Sequence, residues 1–133
     1  MKILHGIDLV DCNRIEKMLS NERFIERVFT PREIEYSNSA GNDKGKVERF
    51  SGRFASKEAV LKLIGTGWRG KIAWTDIEVT NDNLGKPLVN LTGEVKKKSD
   101  EMSIVQIEIS ITHTANLVIA SAVALIEVPG DDS

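Results

Sequence analysis

Apolar residues recur along the chain in patterns that predict five strands. Residues 2–10 are rich in Ile, Leu and Val and indicate a buried strand. Residues 74–81 alternate between apolar and polar side chains, and a short apolar run at 88–91 follows the NLGKP turn, which indicates a hairpin. Two further runs, 104–112 and 117–126, flank the sequence HTAN and are predicted to pair as antiparallel strands.

Helical patterns fill most of the remaining chain. Thr30 can cap a helix, Pro31 fits its first turn, and Glu33 completes a capping box. The longest helix is predicted over 46–64 and ends at Gly65. The other predicted segments are a loop over 37–45 and shorter helices over 12–19, 21–29 and 93–102. This order predicts an α+β fold: a mostly antiparallel sheet with a long central helix and short N-terminal helices.

The predicted long helix carries an acidic residue within its apolar side. At about 100° per residue, one arc of this helix holds Val47, Phe50, Phe54, Leu61 and Ile64. Glu58 falls inside that arc, where an unpaired carboxylate is costly to bury. We therefore expect Glu58 to be protonated, bound to a cation, or paired with Lys62 four residues further on.

Three cations form a second stripe on the same helix, beside the apolar arc. Arg49, Arg53 and Lys57 repel one another at their i, i+4 and i+8 spacing, and phosphate groups would relieve this repulsion. A solvated surface stripe is the alternative. Residues 1–70 hold 13 Lys+Arg against 10 Asp+Glu, whereas residues 71–133 hold 5 against 10. An anionic ligand or an acidic partner is therefore expected to meet the first half.

Asp8 lies between Ile7 and Leu9 in the first predicted strand. A carboxylate in a buried strand is unfavourable unless a partner compensates its charge. Asp11 is better placed to cap the helix that follows. Together with Glu58, Asp8 would form a site of two carboxylates, which suits Mg²⁺ with waters and a substrate phosphate. The two histidines and one cysteine of the chain argue against a zinc site.

Two further features are less specific. The glycines of GTGWRG, at positions 65, 67 and 70, either let the backbone approach a ligand or simply end the helix. His113 precedes a turn and is a general base, a phosphate ligand or a turn residue bonded to backbone. His5, in the first strand, is assigned a packing role.

Length and composition narrow the possible classes of function. A chain of 133 residues can build a single domain, predicted over 1–133. The chain has no apolar run of about 18 residues, its first residues do not read as a signal peptide, and a single cysteine, Cys12, excludes an internal disulfide. We therefore expect a cytoplasmic protein. The net charge of −2 argues against general nucleic-acid binding.

Four segments carry a family resemblance: GIDLVDCNRI at 6–15, RFSGRFASKEAVLKLIGTG at 49–67, IEVTNDNLGKP at 77–87 and SITHT at 110–114. With FTPREIEY between the first two, they resemble the holo-acyl-carrier-protein synthases, the short bacterial class of phosphopantetheinyl transferases. The segments follow one another in the order of that family and extend over nearly the whole chain. The resemblance implies a small α+β subunit that assembles as a homotrimer, with active sites at the subunit interfaces.

The resemblance also assigns roles to individual residues. Asp8 and Glu58 would bind Mg²⁺, and Lys62 would contact phosphate. The residues predicted for the nucleotide of coenzyme A are Lys44, Arg53, Lys57, Gly65, Gly67, Gly85, Lys86, Pro87, Thr112 and His113. The residues predicted to dock an acidic acyl carrier protein, by charge and by apolar contact, are Arg14, Met18, Arg23, Phe24 and Arg27.

The implied reaction moves the 4'-phosphopantetheine group of coenzyme A to a carrier serine and releases adenosine 3',5'-bisphosphate, for fatty acid biosynthesis. The metal and the cations would stabilise the charge that develops on the phosphoryl oxygens. A metal-bound water, Glu58 or His113 would take the serine proton, and Thr114 stands where some relatives have a carboxylate beside the histidine. The alternatives are a module that binds coenzyme A or another nucleotide without chemistry, and a metal-dependent phosphohydrolase.

Overall fold

The computed structural model describes residues 1–65, 67 and 70–128, and its elements follow the predicted order. The secondary structure consists of β1 (Lys2–Asp11), α1 (Cys12–Met18), α2 (Glu22–Val28), α3 (Pro31–Asn38), α4 (Asp43–Ile64), a 3-10 turn (Trp74–Asp76), β2 (Ile77–Asn81), β3 (Pro87–Leu91), α5 (Gly93–Glu101), β4 (Ile104–Thr114) and β5 (Leu117–Ile126). The predicted α+β class is confirmed. No helix among these described residues is long and apolar enough to cross a membrane.

The strands form two antiparallel sheets. The larger sheet has the strand order β1-β5-β4, and the smaller one is the β2-β3 hairpin. The predicted pairing of the last two strands is confirmed, with Thr114 opposite Leu117 at the turn. The predicted hairpin is confirmed as well, with Asn81 opposite Pro87. α4 lies across one face of the larger sheet, mainly over β1 and β5.

The predicted helix signals have the expected geometry. Thr30 Oγ1 accepts a hydrogen bond from Glu33 N, and Glu33 Oε1 accepts one from Thr30 N, which completes the capping box. Asp11 Oδ1 accepts from Asn13 N at 2.9 Å and caps α1. Gly65 ends α4 in the left-handed region with φ of 85°. These signals are local, which is why the sequence alone predicts them.

The predicted loop and the predicted second strand have different bounds in the structure. α4 begins at Asp43 because Asn42 Oδ1 accepts a hydrogen bond from Gly45 N at 2.7 Å, and α3 runs on to Asn38, so the loop predicted over 37–45 shortens to 39–42. The strand predicted from residue 74 begins only at Ile77, because residues 74–76 form a 3-10 turn.

The face of the larger sheet that points away from α4 is exposed and apolar. We call it the outer face; it consists of Ile3, Ile7, Leu9, Leu117, Ile119 and Val123, of which Ile3 is 71% exposed. His5 lies on this face and its Nε2 is 3.1 Å from Ser121 Oγ. Its predicted packing role is wrong within this chain, because the side chain is exposed.

Candidate active site

Helix α4 is the centre of the molecule, and most of its side chains are buried. The five residues of the predicted apolar arc are buried, as expected. Two cations are buried with them, since Arg53 is 4% exposed and Lys57 0% exposed. The alternative of a solvated stripe therefore does not hold for these two residues, and their charges need partners in the interior.

A cavity of about 480 Å³, here called the Arg53 cavity, lies on one side of α4. It is bounded by α3, the α3–α4 loop, α4, the β2–β3 hairpin and β4. The cavity brings together four residues predicted to bind the nucleotide: Arg53, Gly85, Pro87 and His113. The other side chains that shape it include Tyr36, Asn42, Glu48, Arg49, Asn81 and Ile111.

Two guanidinium groups stack on the ring of Tyr36 at the wall of this cavity. The Cζ atoms of Arg49 and Arg53 lie 4.3 Å and 3.9 Å from the ring centroid. Arg49 Nη1 also donates to the Tyr36 carbonyl at 2.8 Å and to Ser39 Oγ at 3.0 Å. Sequence reasoning missed Tyr36, because only the fold places α3 beside the cationic side of α4.

Arg53 retains an unused donor. Its Nη2 donates to Asn81 Oδ1, and Asn81 Nδ2 donates to the Gly85 carbonyl at 2.9 Å. Its Nε is buried and has no hydrogen-bond partner among the described residues. Burial lowers the pKa of Arg53, yet a guanidinium is basic enough to remain charged. A buried cation with a free donor is suited to an anion that enters the cavity.

His113 faces a carboxylate that sequence reasoning did not find. Its Nε2 lies 3.8 Å from Glu48 Oε2 of α4, too far for a hydrogen bond but close enough for an electrostatic contact. Glu48 therefore supplies the acidic neighbour that Thr114 does not. The spacing along the chain gives no sign of this contact, because it depends on how α4 crosses β4.

Several residues predicted to bind the nucleotide lie outside the lining of the Arg53 cavity. Lys44 is exposed and borders a smaller cavity of about 150 Å³ that Glu48 shares. Lys86 is exposed and its Nζ is 3.2 Å from Glu108 Oε1. Thr112 is exposed and precedes His113 on β4, so the two side chains point to opposite faces of the sheet.

The glycines predicted to approach a ligand follow the far end of α4. Gly65 and Gly67 both adopt positive φ, at 85° and 65°, which glycine tolerates without strain. The other residues of this loop, Thr66, Trp68 and Arg69, lie outside the described residues. The positive φ angles explain why glycine occupies both positions. Contact of these glycines with coenzyme A stays a prediction.

Lys57 is held entirely inside the protein. Its Nζ is 2.7 Å from Glu33 Oε1 and donates to the carbonyls of Trp74, at 3.1 Å, and Ile77. Burial lowers the pKa of Lys57, while the negative charge of Glu33 opposes this shift. The ammonium is therefore fully engaged by protein groups, which argues against the direct contact with coenzyme A that the sequence predicts.

Asp8 and Lys62 form an ion pair between β1 and α4. Lys62 Nζ lies 2.9 Å from Asp8 Oδ1 and donates to the Ile7 carbonyl at 3.1 Å. The Asp8 side chain is 14% exposed and that of Lys62 is 56% exposed. One predicted alternative was a pair between Lys62 and Glu58 on the same helix. In the structure, Lys62 Nζ contacts β1.

β1 and α4 lie in close contact at Gly6. A Cβ atom at this position would lie 2.0 Å from the Ala59 carbonyl oxygen and 2.8 Å from Leu63 N. A side chain here would push the strand away from the helix. Gly6 therefore permits the contact that brings Asp8, two residues further on, to the surface of α4.

A second cavity of about 400 Å³, here called the Glu58 cavity, lies beside the first helices. Glu58 shares it with all five residues predicted to dock a carrier protein: Arg14, Met18, Arg23, Phe24 and Arg27. Its aromatic wall consists of Phe54 and Trp74, whose rings stack 5.1 Å apart, and Arg14 Cζ lies 5.8 Å from the Phe54 centroid. The sequence pattern predicts Trp74 only as the start of a strand and does not place it in this cavity.

The two cavities lie on nearly opposite sides of α4. Arg53 and Glu58 are five positions apart on the helix, which corresponds to about 140° around its axis. The Arg53 cavity combines the buried Arg53 and the half-buried Arg49 with an aromatic ring, and the Glu58 cavity combines a carboxylate with exposed arginines and an aromatic wall. One helix therefore presents a cationic cavity and a cavity with a carboxylate in different directions.

Asp8 and Glu58 are the residues that fit a hard cation. The described residues contain no cluster of three or more His, Cys, Asp or Glu side chains. Two carboxylates are the donor set with which Mg²⁺ is held when substrate phosphates and waters complete its coordination. By donor type the two carboxylates suit magnesium and not zinc. Asp8 is paired with Lys62 and is not among the residues that line the Glu58 cavity.

Cationic and acidic residues on two sides of one helix are compatible with an enzyme that acts on phosphate esters. The model of the 4'-phosphopantetheinyl transferase superfamily matches residues 5–121. The chain belongs to this superfamily, and the predicted enzyme class is confirmed.

The similar proteins are holo-[acyl-carrier-protein] synthases. The enzyme of that name from Geotalea daltonii is 41% identical over 89% of this chain and 94% of its own length. The Bacillus anthracis synthase, solved in complex with coenzyme A (3',5'-ADP), has a TM-score of 0.76 and 33% identity, over 93% of this chain and 96% of that one. The Helicobacter pylori synthase in complex with coenzyme A has a TM-score of 0.75 and 33% identity, over 92% and 100%.

Proposed function

We propose that this protein transfers 4'-phosphopantetheine from coenzyme A to a serine of an apo-acyl carrier protein, and releases adenosine 3',5'-bisphosphate. The names of the relatives support the donor and the acceptor. The observation that carries the proposal is the division of α4: it presents a buried Arg53 with an unused donor to one cavity, and Glu58 to another that contains every residue predicted to dock the carrier.

The Arg53 cavity is the proposed site of the nucleotide. Coenzyme A carries phosphates at the 3' position and in its diphosphate bridge, and buried guanidinium groups bind such oxygens through short, charged hydrogen bonds. Arg49 and Arg53 both line this cavity and both lie over the ring of Tyr36. His113 lies in the same cavity, with its Nε2 3.8 Å from Glu48 Oε2.

Asp8 and Glu58 would hold a Mg²⁺ ion, which when bound neutralises charge on the diphosphate of coenzyme A. Lys62 is paired with Asp8 and is half exposed, so it can turn toward a phosphoryl oxygen without leaving the site. The carrier serine would attack the phosphorus nearer pantetheine, and the bond to adenosine 3',5'-bisphosphate breaks. Of the predicted bases, Glu58 shares a cavity with the docking residues whereas His113 does not, which favours Glu58 as the group nearer the serine.

The active site is proposed to form between two copies of the chain, within a homotrimer. Because the two cavities face apart on one α4, the Arg53 cavity of one copy would meet Asp8 and Glu58 of the next. The exposed apolar outer face, with Ile3 and Leu9 at 71% and 59% exposure, supports burial against further copies. Fatty acid biosynthesis as the pathway and the cytoplasm as the location stay predictions.

The direct test is mass spectrometry of an apo-acyl carrier protein incubated with this protein, coenzyme A and Mg²⁺. The expected result is a carrier heavier by one phosphopantetheine group, with the gain lost when the serine is replaced by alanine. An unchanged carrier, with coenzyme A bound but intact, would support the binding module instead. Release of adenosine 3',5'-bisphosphate without a carrier would support the phosphohydrolase.

A mixing experiment tests the shared site. Arg53→Met and Glu58→Gln chains are each expected to be inactive at low coenzyme A, but a co-expressed mixture regains activity, because some interfaces combine an intact cavity with an intact carboxylate pair. A mixture that contains hetero-oligomers and stays inactive would contradict a site between subunits.

A further inference from the structure

The ion pair between Lys57 and Glu33 is the most deeply buried charged contact that the mechanism above leaves without a role. Both side chains are 0% exposed, and their Nζ and Oε1 atoms are 2.7 Å apart. Buried pairs of this kind are retained at a cost in desolvation, so stability alone explains them poorly. The partners that surround this pair indicate what else it does.

Every polar position of the pair has a partner. Lys57 Nζ has three protons, and three acceptors surround it: Glu33 Oε1 and the carbonyls of Trp74 and Ile77. Glu33 Oε1 accepts in addition from Thr30 N, and Glu33 Oε2 accepts from Val79 N at 2.9 Å. A fully connected network of this kind holds the groups it joins in one arrangement.

The pair occupies the place of a neighbouring strand. β2 pairs with β3 along one edge, and its other edge presents the Ile77 carbonyl and the Val79 N–H to the interior. An unpaired strand edge inside a protein is unfavourable. Lys57 donates to that carbonyl and Glu33 accepts from that N–H, so the two side chains complete the edge and tie β2 to α3 and α4.

α4 holds β2 at two successive turns. Lys57 contacts the start of the strand at Ile77, and Arg53, one turn earlier, contacts its end at Asn81. Asn81 accepts a hydrogen bond from Arg53 Nη2 and donates one to the Gly85 carbonyl. Asn81 and Gly85 both line the Arg53 cavity. The position of the hairpin wall of that cavity therefore depends on both contacts.

We propose that Lys57 and Glu33 are positioning residues, which hold β2 against α4 and so set Asn81 and Gly85 at the distance from Arg53 that the nucleotide needs. This rests on the proposed function of the Arg53 cavity. It replaces the predicted contact of Lys57 with coenzyme A, since the ammonium acts through β2 and does not touch the substrate.

The test is the binding of adenosine 3',5'-bisphosphate by calorimetry, together with steady-state kinetics of carrier modification. The variant combines Lys57→Met with Glu33→Gln, so that no unpaired charge is left in the interior. We expect its Kd for the nucleotide and its KM for coenzyme A to rise by about tenfold, with kcat at saturating coenzyme A and KM for the carrier within about twofold of the original. Leu63→Ala, on the side of α4 toward β1, is the control. It should destabilise the fold without changing the Kd for the nucleotide or the KM for coenzyme A.

Hydrogen exchange at Val79 N–H provides a measurement that does not need the variant to fold. If the Lys57–Glu33 pair and the Arg53 cavity are coupled, binding of adenosine 3',5'-bisphosphate to the unaltered protein should slow exchange at Val79 more than at Val95 of α5, because coupling is reciprocal. An equal effect at both amides, or a folded double variant with unchanged Kd, would overturn the proposal while leaving the transferase proposal intact. Failure of the unaltered protein to bind the nucleotide would overturn both.

Discussion

The two sides of α4 differ in how completely one chain builds them. On the Arg53 side, each cation is locked by neighbours: Arg49 and Arg53 on Tyr36, and Arg53 on Asn81. On the Glu58 side, the arginines of the cavity are exposed and the ion pair of Asp8 and Lys62 is open to solvent at the lysine. The Arg53 side, here called the cationic side, is therefore preformed within one chain, whereas the Glu58 side, here called the acidic side, is open to solvent at its arginines and at Lys62.

The largest effect is expected when the acidic side loses a carboxylate. Asp8→Asn or Glu58→Gln should lower kcat by about a thousandfold or more, because charge on the phosphoryl oxygens would no longer be neutralised by a bound cation. Carrier modification measured by mass spectrometry checks this, with Mg²⁺ affinity measured separately. Asp11→Asn is the matched control, since asparagine caps a helix as well as aspartate does and activity should persist. Near-normal turnover of either first variant would remove the distinction between the two sides.

The second largest effect is expected at the contact that brings Asp8 to α4. Gly6→Ala places a Cβ atom 2.0 Å from the Ala59 carbonyl oxygen, and overpacking of this kind costs about 3 kcal/mol. Urea unfolding should show this loss of stability, together with weaker Mg²⁺ binding. On the other side of α4, Gly52→Ala meets Ile111 at an ordinary 3.5 Å and should gain about 0.5–1 kcal/mol from helix propensity. Equal stability of the two variants would show that β1 is free to move.

The sequence singles out residues of the acidic side more readily than it separates those of the cationic side from one another, and the reason is physical. Asp8 and Glu58 stand out because a carboxylate within an apolar run is costly, and that signal is local. The five residues predicted to dock a carrier come from one continuous stretch, and they line one cavity because the helices that carry them are neighbours. The helix caps at Thr30 and Asn42 and the stop at Gly65 are likewise set by neighbouring residues, although Asn42 was overlooked within a stretch that its composition marked as loop.

The cationic side depends on contacts between distant segments. Arg53 and Lys57 belong to one helical stripe and look alike in sequence, yet Arg53 reaches a cavity whereas Lys57 is enclosed by Glu33 and the edge of β2. Tyr36 and Glu48 join the site only because α3 and β4 pack beside α4. No local pattern encodes such packing, so the sequence alone could not separate a residue that lines a cavity from one that is enclosed by the protein.

A smaller effect is expected on the preformed side. Arg53→Met should raise KM for coenzyme A by about tenfold to a hundredfold, since a charged hydrogen bond to phosphate is lost, while kcat at saturating coenzyme A changes little. Titration of adenosine 3',5'-bisphosphate should show a matching rise in Kd. Arg32→Met alters an exposed arginine of α3 and should leave both constants unchanged. A loss confined to kcat would show that Arg53 acts in the chemical step, so that the two sides of α4 would no longer have separate roles.

The smallest effect is expected at the exposed rim of the Glu58 cavity. Arg23 is exposed there beside Phe24, and a rim charge chiefly steers an acidic partner, so Arg23→Ala should raise KM for the carrier only a few-fold and leave KM for coenzyme A unchanged. The difference between Arg23→Ala and the unaltered protein should shrink as salt is raised, because exposed charges are screened. Phe24→Ala, which removes an apolar anchor, should cost more and show little dependence on salt. If Arg23→Ala instead raised KM for coenzyme A, the nucleotide would extend into the Glu58 cavity, and the carrier would have to dock elsewhere.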